Sequence, residues 1–181
     1  YLFAVKQEKG QAVHAVLTQV LPQLLAKLSF PKAMHWNQTG VRFARPVRWL
    51  VALCGGKILP IQFATIKAGN FSQGHRVLGA KVSSSKGFAV KSIAHYLKET
   101  ERHSVIVDQD RRRAMILDQL ASLAKSARGH LHQDDELLEQ AVYMVECPLT
   151  ILGSFKPHYL ALPKEILMTS MKEHQGYFSL V

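Results

Sequence analysis

Val47-Arg48-Trp49-Leu50-Val51-Ala52-Leu53-Cys54-Gly55-Gly56-Lys57-Ile58-Leu59-Pro60-Ile61-Gln62-Phe63 carries the clearest fold signal in the chain. Val47 to Leu53 is rich in residues that suit a pleated strand, Gly55-Gly56 supplies a tight turn, and Lys57 to Phe63 returns as a second apolar run. A β-hairpin is expected there. Upstream, Val13, Val16, Leu17, Val20, Leu21, Leu24, Leu25 and Leu28 recur at helical spacing between Gln11 and Leu28. They predict a packing helix, with Pro22 kinking or dividing it because proline removes a main-chain donor. Tyr1 to Val5 reads as a short strand before it.

Downstream of the hairpin, helices and short strands alternate. Ser92 to Thr100 is expected to be helical, with Ile93, Tyr96 and Leu97 as its apolar residues, and Ser83 to Ser85 a polar loop. Ser104 to Val107 reads as a buried strand, followed by Asp108 as an N-cap, since its carboxylate can accept from free N–H groups of a first helical turn. The helix from about Gln109 to Ala127 points Ala114, Ile116, Leu117, Leu120, Leu123 and Ala124 inward. Asp134 or Asp135 caps another helix reaching about Glu146, and Leu149 to Gly153 looks like a strand. Pro163 opens a last helix whose Ile166, Leu167, Ser170 and Met171 face a core, leaving Lys164, Lys172 and His174 outward. Gly176 ends that helix, and Tyr177 to Val181 begins a strand. The pattern predicts a single α+β domain over 1–181, with a mixed or antiparallel sheet and packed helices.

Composition narrows the function classes. Among 181 residues, 23 Lys and Arg oppose 13 Asp and Glu, a formal charge of +10. Such a surface favours an anionic partner, nucleic acid first among them, with an inert basic surface as the alternative. Cys54 and Cys147 form no CxxC pair, which fits a reducing cytoplasm. No apolar run is long enough to span a membrane. The start lacks an initiator Met and the end falls inside a strand, so both ends read as cut.

No motif points to catalysis. The phosphate-loop and dinucleotide signatures are missing, as are HExxH and GxSxG. His130, His132, Asp134 and Asp135 are the only local ligand-like cluster, short of a zinc pattern. No catalytic residue, metal or cofactor is expected within these residues. The candidate nucleic-acid contacts are Arg42, Arg45 and Arg48 at the hairpin, and Lys67, His75 and Arg76 around the glycine-rich Gly69–Gly79 loop. Arg111 and Arg112 join them from the Arg111-Arg112-Arg113 run, which lies where the helix dipole disfavours cations. Lys172 and His174 complete the set, although a histidine beside a helix stop can simply bond the last carbonyls. The Arg42/Arg45/Arg48 group and the Gly69–Gly79 loop are expected to lie near one another.

Several ordered strings carry a resemblance. Ala44-Arg45-Pro46-Val47-Arg48-Trp49-Leu50-Val51-Ala52-Leu53, Gly69-Asn70-Phe71-Ser72-Gln73-Gly74-His75-Arg76 and Val105-Ile106-Val107-Asp108 come first. Leu162-Pro163-Lys164-Glu165 and His174-Gln175-Gly176-Tyr177-Phe178 close the series. Together they closely resemble the β subunit of the bacterial two-subunit glycyl-tRNA synthetase, in its N-terminal half. The resemblance implies an α subunit that performs the chemistry with ATP and Mg. It also implies tRNA(Gly), the α subunit and the rest of the β subunit as partners, and a cytoplasmic location. It further implies a fold similar to the editing domain of the phenylalanyl-tRNA synthetase β subunit. Two function classes follow: a non-catalytic tRNA-binding and scaffolding part, or an editing-type hydrolase acting on mischarged tRNA. The family usually has a basic residue where Gly176 stands and often Arg where His35 stands, so RNA contacts at those two points are expected to be weaker here.

Overall fold

The computed structural model describes residues 2–6, 9–79 and 87–181. The Ser83–Ser85 loop lies outside them. The chain divides into two compact units, Tyr1–Gly74 with Ser83–Glu99 and His75–Val82 with Thr100–Val181. The first combines helix with short antiparallel pairs and the second is helical with one isolated antiparallel bridge, Leu131 opposite Leu180; the chain as a whole is of the α+β class that the alternating pattern predicts.

The first unit opens with residues 2–5 in irregular conformation rather than a strand, then α1 (Val13–Lys27). Pro22 sits inside α1 without dividing it. Four two-stranded pairs follow. They are β1 (Met34–His35) with β2 (Arg42–Phe43), β3 (Leu53–Cys54) with β4 (Lys57–Ile58), β5 (Gln62–Phe63) with β6 (Ile66–Lys67), and β7 (Phe71–Ser72) with β8 (Phe88–Ala89). The expected hairpin is β3–β4. Gly55 and Gly56 both take positive φ, 56° and 78°, as a two-residue primed turn requires, which sets Cys54 opposite Lys57.

Main-chain bonds stitch these small pairs together. Leu59 N–H donates to the Ala52 carbonyl at 2.9 Å, Gly69 N–H to Leu50 at 2.9 Å, Ala68 N–H to Ile61 at 2.9 Å and Val90 N–H to Asn70 at 2.6 Å. The pleat sends Leu59, Ile61 and Phe63 to one side, where they are buried with Phe88 and Val90. Phe43 meets the rings of Phe30 and Phe63 at centroid separations of 4.7 and 5.5 Å, extending this core. Gly87 closes it from the β8 side at φ 135°, and a Cβ there would lie 2.2 Å from the Ser72 carbonyl oxygen. Only glycine fits.

Helix α1 lies against β5, but none of its residues is buried. Leu17, Leu21 and Leu25 are half-covered, while Val13, Val16, Val20 and Leu24 are exposed. Its apolar stripe is wider than the surface it meets, so packing accounts for only half of it.

Helix α2 (Ile93–Arg102) begins after Ser92, whose Oγ accepts from His95 N–H at 3.1 Å. Of its three large apolar residues only Tyr96 is covered. Ile93 and Leu97 are exposed, and the covered positions are His95, Tyr96, Glu99 and the fully buried Thr100. The covered face is thus largely polar, and the His95 Nδ1 within it is buried without a hydrogen-bond partner among the described residues.

The second unit is built on α3 (Gln109–Ala127) and α4 (Asp135–Met144). Both predicted caps are present. Asp108 accepts from Asp110 and Arg111 N–H, and Asp134 from Leu137 N–H at 3.0 Å. Ile116, Leu120, Leu138 and Val142 form the buried seam, joined by Leu131, Ala141 and Phe178. Ala114 and Leu117, expected inward, are exposed instead. Residues 105–107 and 149–153, expected as strands, belong to none. Ile106 N–H reaches only the Glu146 carbonyl, and Thr150 N–H is taken by the Gln119 side chain.

The last helix, α5 (Lys164–Ser170), runs into one π-helical turn at Met171–Gln175 before Gly176 ends it at φ 64°. Its covered face is Leu167, Met168, Met171 and Lys172, whereas Ile166 and Ser170 are exposed. The expected face is therefore rotated by one position. Lys172 decides the rotation, because its charged end is held by two carboxylates while its stem packs. Residues 177–181 pair with residues 130–132: His130 N–H donates to Val181 and His132 N–H to Ser179.

Candidate nucleic-acid interface

The ten candidate side chains separate into two physical kinds. Arg45, Arg48 and Lys67 of the first unit are exposed, and among the described residues their side chains make no hydrogen bond or ion pair. Arg42 is also exposed and spends one nitrogen on the Ala33 carbonyl at 3.2 Å. Lys67 ends β6, and Arg48 begins the run into the β3–β4 hairpin. Lys67 is held on a strand, Arg45 and Arg48 lie in the connecting segment between β2 and β3, and all three face water. That is what a phosphate contact needs, because no internal partner must be given up.

Arg111, Arg112 and Lys172 are already engaged. Arg111 forms a two-pronged pair with Glu101, which holds that carboxyl below its usual range. Arg112 spans three main-chain carbonyls. Its Nε donates to Val142 at 2.9 Å, and its Nη1 donates to Ile106 at 2.7 Å and to Val107 at 2.9 Å. Arg113 pairs with Glu139. The arginine run that the dipole disfavours is thus explained by internal work. It ties the start of α3 to α2, to residues 106–107 and to the end of α4.

Lys172 bridges Glu136 at 2.9 Å and Asp134 at 3.1 Å. Those carboxylates raise its pKa, and Asp134 is held low by the Leu137 N–H first and by Lys172 second. His75 is a turn cap, its Nδ1 accepting from Val77 and Leu78 N–H. Arg76 and His174 are exposed and, among the described residues, unpartnered. The Gly69–Gly79 segment is not one open loop, since Phe71–Ser72 within it is strand β7. It also divides between the units, Gly74 in the first and His75 and Arg76 in the second.

Each unit carries a cleft. In the first, Trp49, Leu50, Val51, Val90, Lys91 and Tyr96 are among the side chains lining a cavity of about 630 Å³. In the second, His132, Glu165, Thr169, Lys172 and Tyr177 share a cavity of about 570 Å³ with Asp134 and Glu173. Among the described residues His132, Glu165 and Thr169 make no side-chain hydrogen bond to one another. Neither cleft was visible to sequence reasoning. Their walls come from residues up to about fifty positions apart, a separation that no local pattern records.

The profile of the family described as glycyl-tRNA synthetase β subunit matches residues 1–181. The chain belongs to that family. Over its whole length it is 46% identical to the glycine–tRNA ligase β subunit of Trichlorobacter lovleyi and 45% identical to that of Citrifermentans bemidjiense. The β subunit of a Geobacter species is 44% identical over the same 181 residues. The chain spans about a quarter of the length of these relatives, 26% in each case. Among the described residues, no helix is long and apolar enough to cross a membrane.

Proposed function

We propose that this chain is a non-catalytic tRNA-binding and scaffolding part of a glycyl-tRNA synthetase β subunit. In this reading a separate α subunit attaches glycine to tRNA(Gly) in the cytoplasm, using ATP and Mg. The chain and the rest of β then hold the tRNA for it. The observation that carries the reading is that Arg45, Arg48 and Lys67 of the first unit are exposed and, among the described residues, internally unpaired. Arg42, in the same unit, is proposed to add to them, and Arg76 of the second unit is proposed as a separate contact. The paired Arg111, Arg112 and Lys172 have less to offer a phosphate. A purified chain tested with and without the α subunit separates the roles. It should bind tRNA(Gly) but attach no glycine alone, and steady charging without the α subunit would refute the non-catalytic reading.

A second reading, an editing-type hydrolase with a fold similar to the phenylalanyl-tRNA synthetase editing domain, is favoured by one observation. The second unit's cleft gathers His132, Glu165 and Thr169, groups suited to ester hydrolysis. The absence of a hydrogen bond among them ranks this reading second. Release of alanine or serine from mischarged tRNA(Gly), abolished by His132→Ala, would reverse the ranking.

A further inference from the structure

The two clefts differ in charge, and that difference selects a ligand. The second unit's cleft sets Asp134, Glu165 and Glu173 against Lys164 and a Lys172 already paired with two carboxylates, so acid predominates there. The first unit's cleft has no acidic side chain among its described lining, and Lys91 is its one charged wall. Its floor is aliphatic, formed by Leu50, Val51 and Val90. Trp49 and Tyr96 supply aromatic walls, and Trp49 remains 40% exposed. Among the described residues the Trp49 indole stacks on no other ring. Its chain neighbour is the unpaired Arg48. Ser92 and Ile93, at the start of α2, line the wall beside Lys91 and add the positive end of the helix dipole. The volume lies within the range of sites that enclose a small organic group.

We infer that this cleft takes an unpaired nucleobase of the bound RNA. The base would stack on Trp49, and its flanking phosphate would sit at Lys91 and Arg48. A flat ring needs an apolar slot with an aromatic face, and a nucleotide adds one anion at the rim; the cleft presents both. A base in a duplex cannot enter, because its faces are covered by its neighbours, so the ligand is a single-stranded stretch or end. The inference deepens the tRNA-binding reading above and rests on it.

The test uses the intact ligase with two probes of equal phosphate number, a short oligouridylate and an oligomer of the same backbone without bases. The wild type should prefer the oligouridylate. Trp49→Ala should erase that preference, weakening the base-bearing probe by about 5- to 150-fold, the cost of losing one stacking partner. It should leave the salt dependence unchanged. Trp49→Phe should keep most of the preference, which separates lost stacking from lost folding. Lys91→Ala should weaken both probes alike and flatten the log–log salt slope by about 0.7. A photoactivatable thiouridine in the oligomer should crosslink to Trp49 or Tyr96. If Trp49→Ala keeps the base preference while Arg45→Ala still weakens tRNA, the base pocket is wrong and the tRNA-binding reading stands. If neither variant changes binding of tRNA or oligomer, both fail together.

Discussion

Replacing Arg112 with alanine should cost stability and spare RNA binding. The guanidinium donates to three carbonyls, two of them in half-buried surroundings, at Val142 and Ile106. The third, at Val107, is exposed and can be replaced by water. A hydrogen bond from a charged donor contributes about 1.5–3 kcal/mol, and an acceptor left unpaired adds its own desolvation cost. Two such losses give about 3–6 kcal/mol, or roughly 6–24 °C in Tm for a chain of this size. The neighbouring Arg113→Ala removes a surface pair with Glu139 and should stay within about 1 kcal/mol. Circular-dichroism melts of both variants, with tRNA affinity across a salt series at a temperature where both are folded, check the pair. The reasoning is refuted if Arg112→Ala melts with the parent and flattens the salt slope by nearly one unit. That outcome would make Arg112 a phosphate contact and its three carbonyl bonds dispensable.

Gly87→Ala should be strongly destabilising, because both its φ and the nearby Ser72 carbonyl exclude a Cβ; loss of the folded circular-dichroism signal at moderate temperature would confirm it. Asp108→Ala removes the α3 cap and should cost about 1 kcal/mol in denaturant unfolding, with Asp108→Asn costing much less. Asp134 has a lowered pKa in the fold, so its stabilising contribution is present above the ordinary carboxylate value near pH 4 and lost as pH falls through the lower folded value. Lys172 has a raised pKa, so its contribution is present below the ordinary lysine value and lost only as pH rises through a still higher one. Between those limits stability should be flat with respect to this cluster, and Lys172→Met should weaken the acid-side dependence in pH-dependent melts.

The hairpin and the two aspartate caps were legible because each is a local event. Gly55-Gly56 sits between two β-prone runs, and Asp108 and Asp134 stand where a free N–H must be met. The α3–α4 seam was legible in part, through Ile116, Leu120, Leu138 and Val142 at helical spacing. The faces of α2 and α5 were not. On α2 Thr100 is buried while Ile93 and Leu97 stay out, and Lys172 turns α5 by one position through carboxylates thirty-six and thirty-eight residues away. Segments 105–107 and 149–153 have strand-like composition, but their main-chain groups are met by scattered partners, Thr100, Glu146 and Arg112 for the first and Gln119 for the second, rather than by a neighbouring strand. The arginine run at the start of α3 was recognised as out of place electrostatically. Its reason lies in Glu101, Glu139 and the Val142 carbonyl, which only the fold brings near.

The central claim is that the cations around the first unit's hairpin meet tRNA phosphates and those of α3 and α5 do not. Its most direct test is the salt dependence of tRNA(Gly) binding by the intact ligase carrying Arg45→Ala, Arg48→Ala and Lys67→Ala together. The comparison is Arg111→Ala with Lys172→Ala. The first set should flatten the log–log slope by about two to three units, nearly one for each phosphate contact removed, and the second should leave it within about half a unit. A slope unchanged by the first set and flattened by the second would contradict the account.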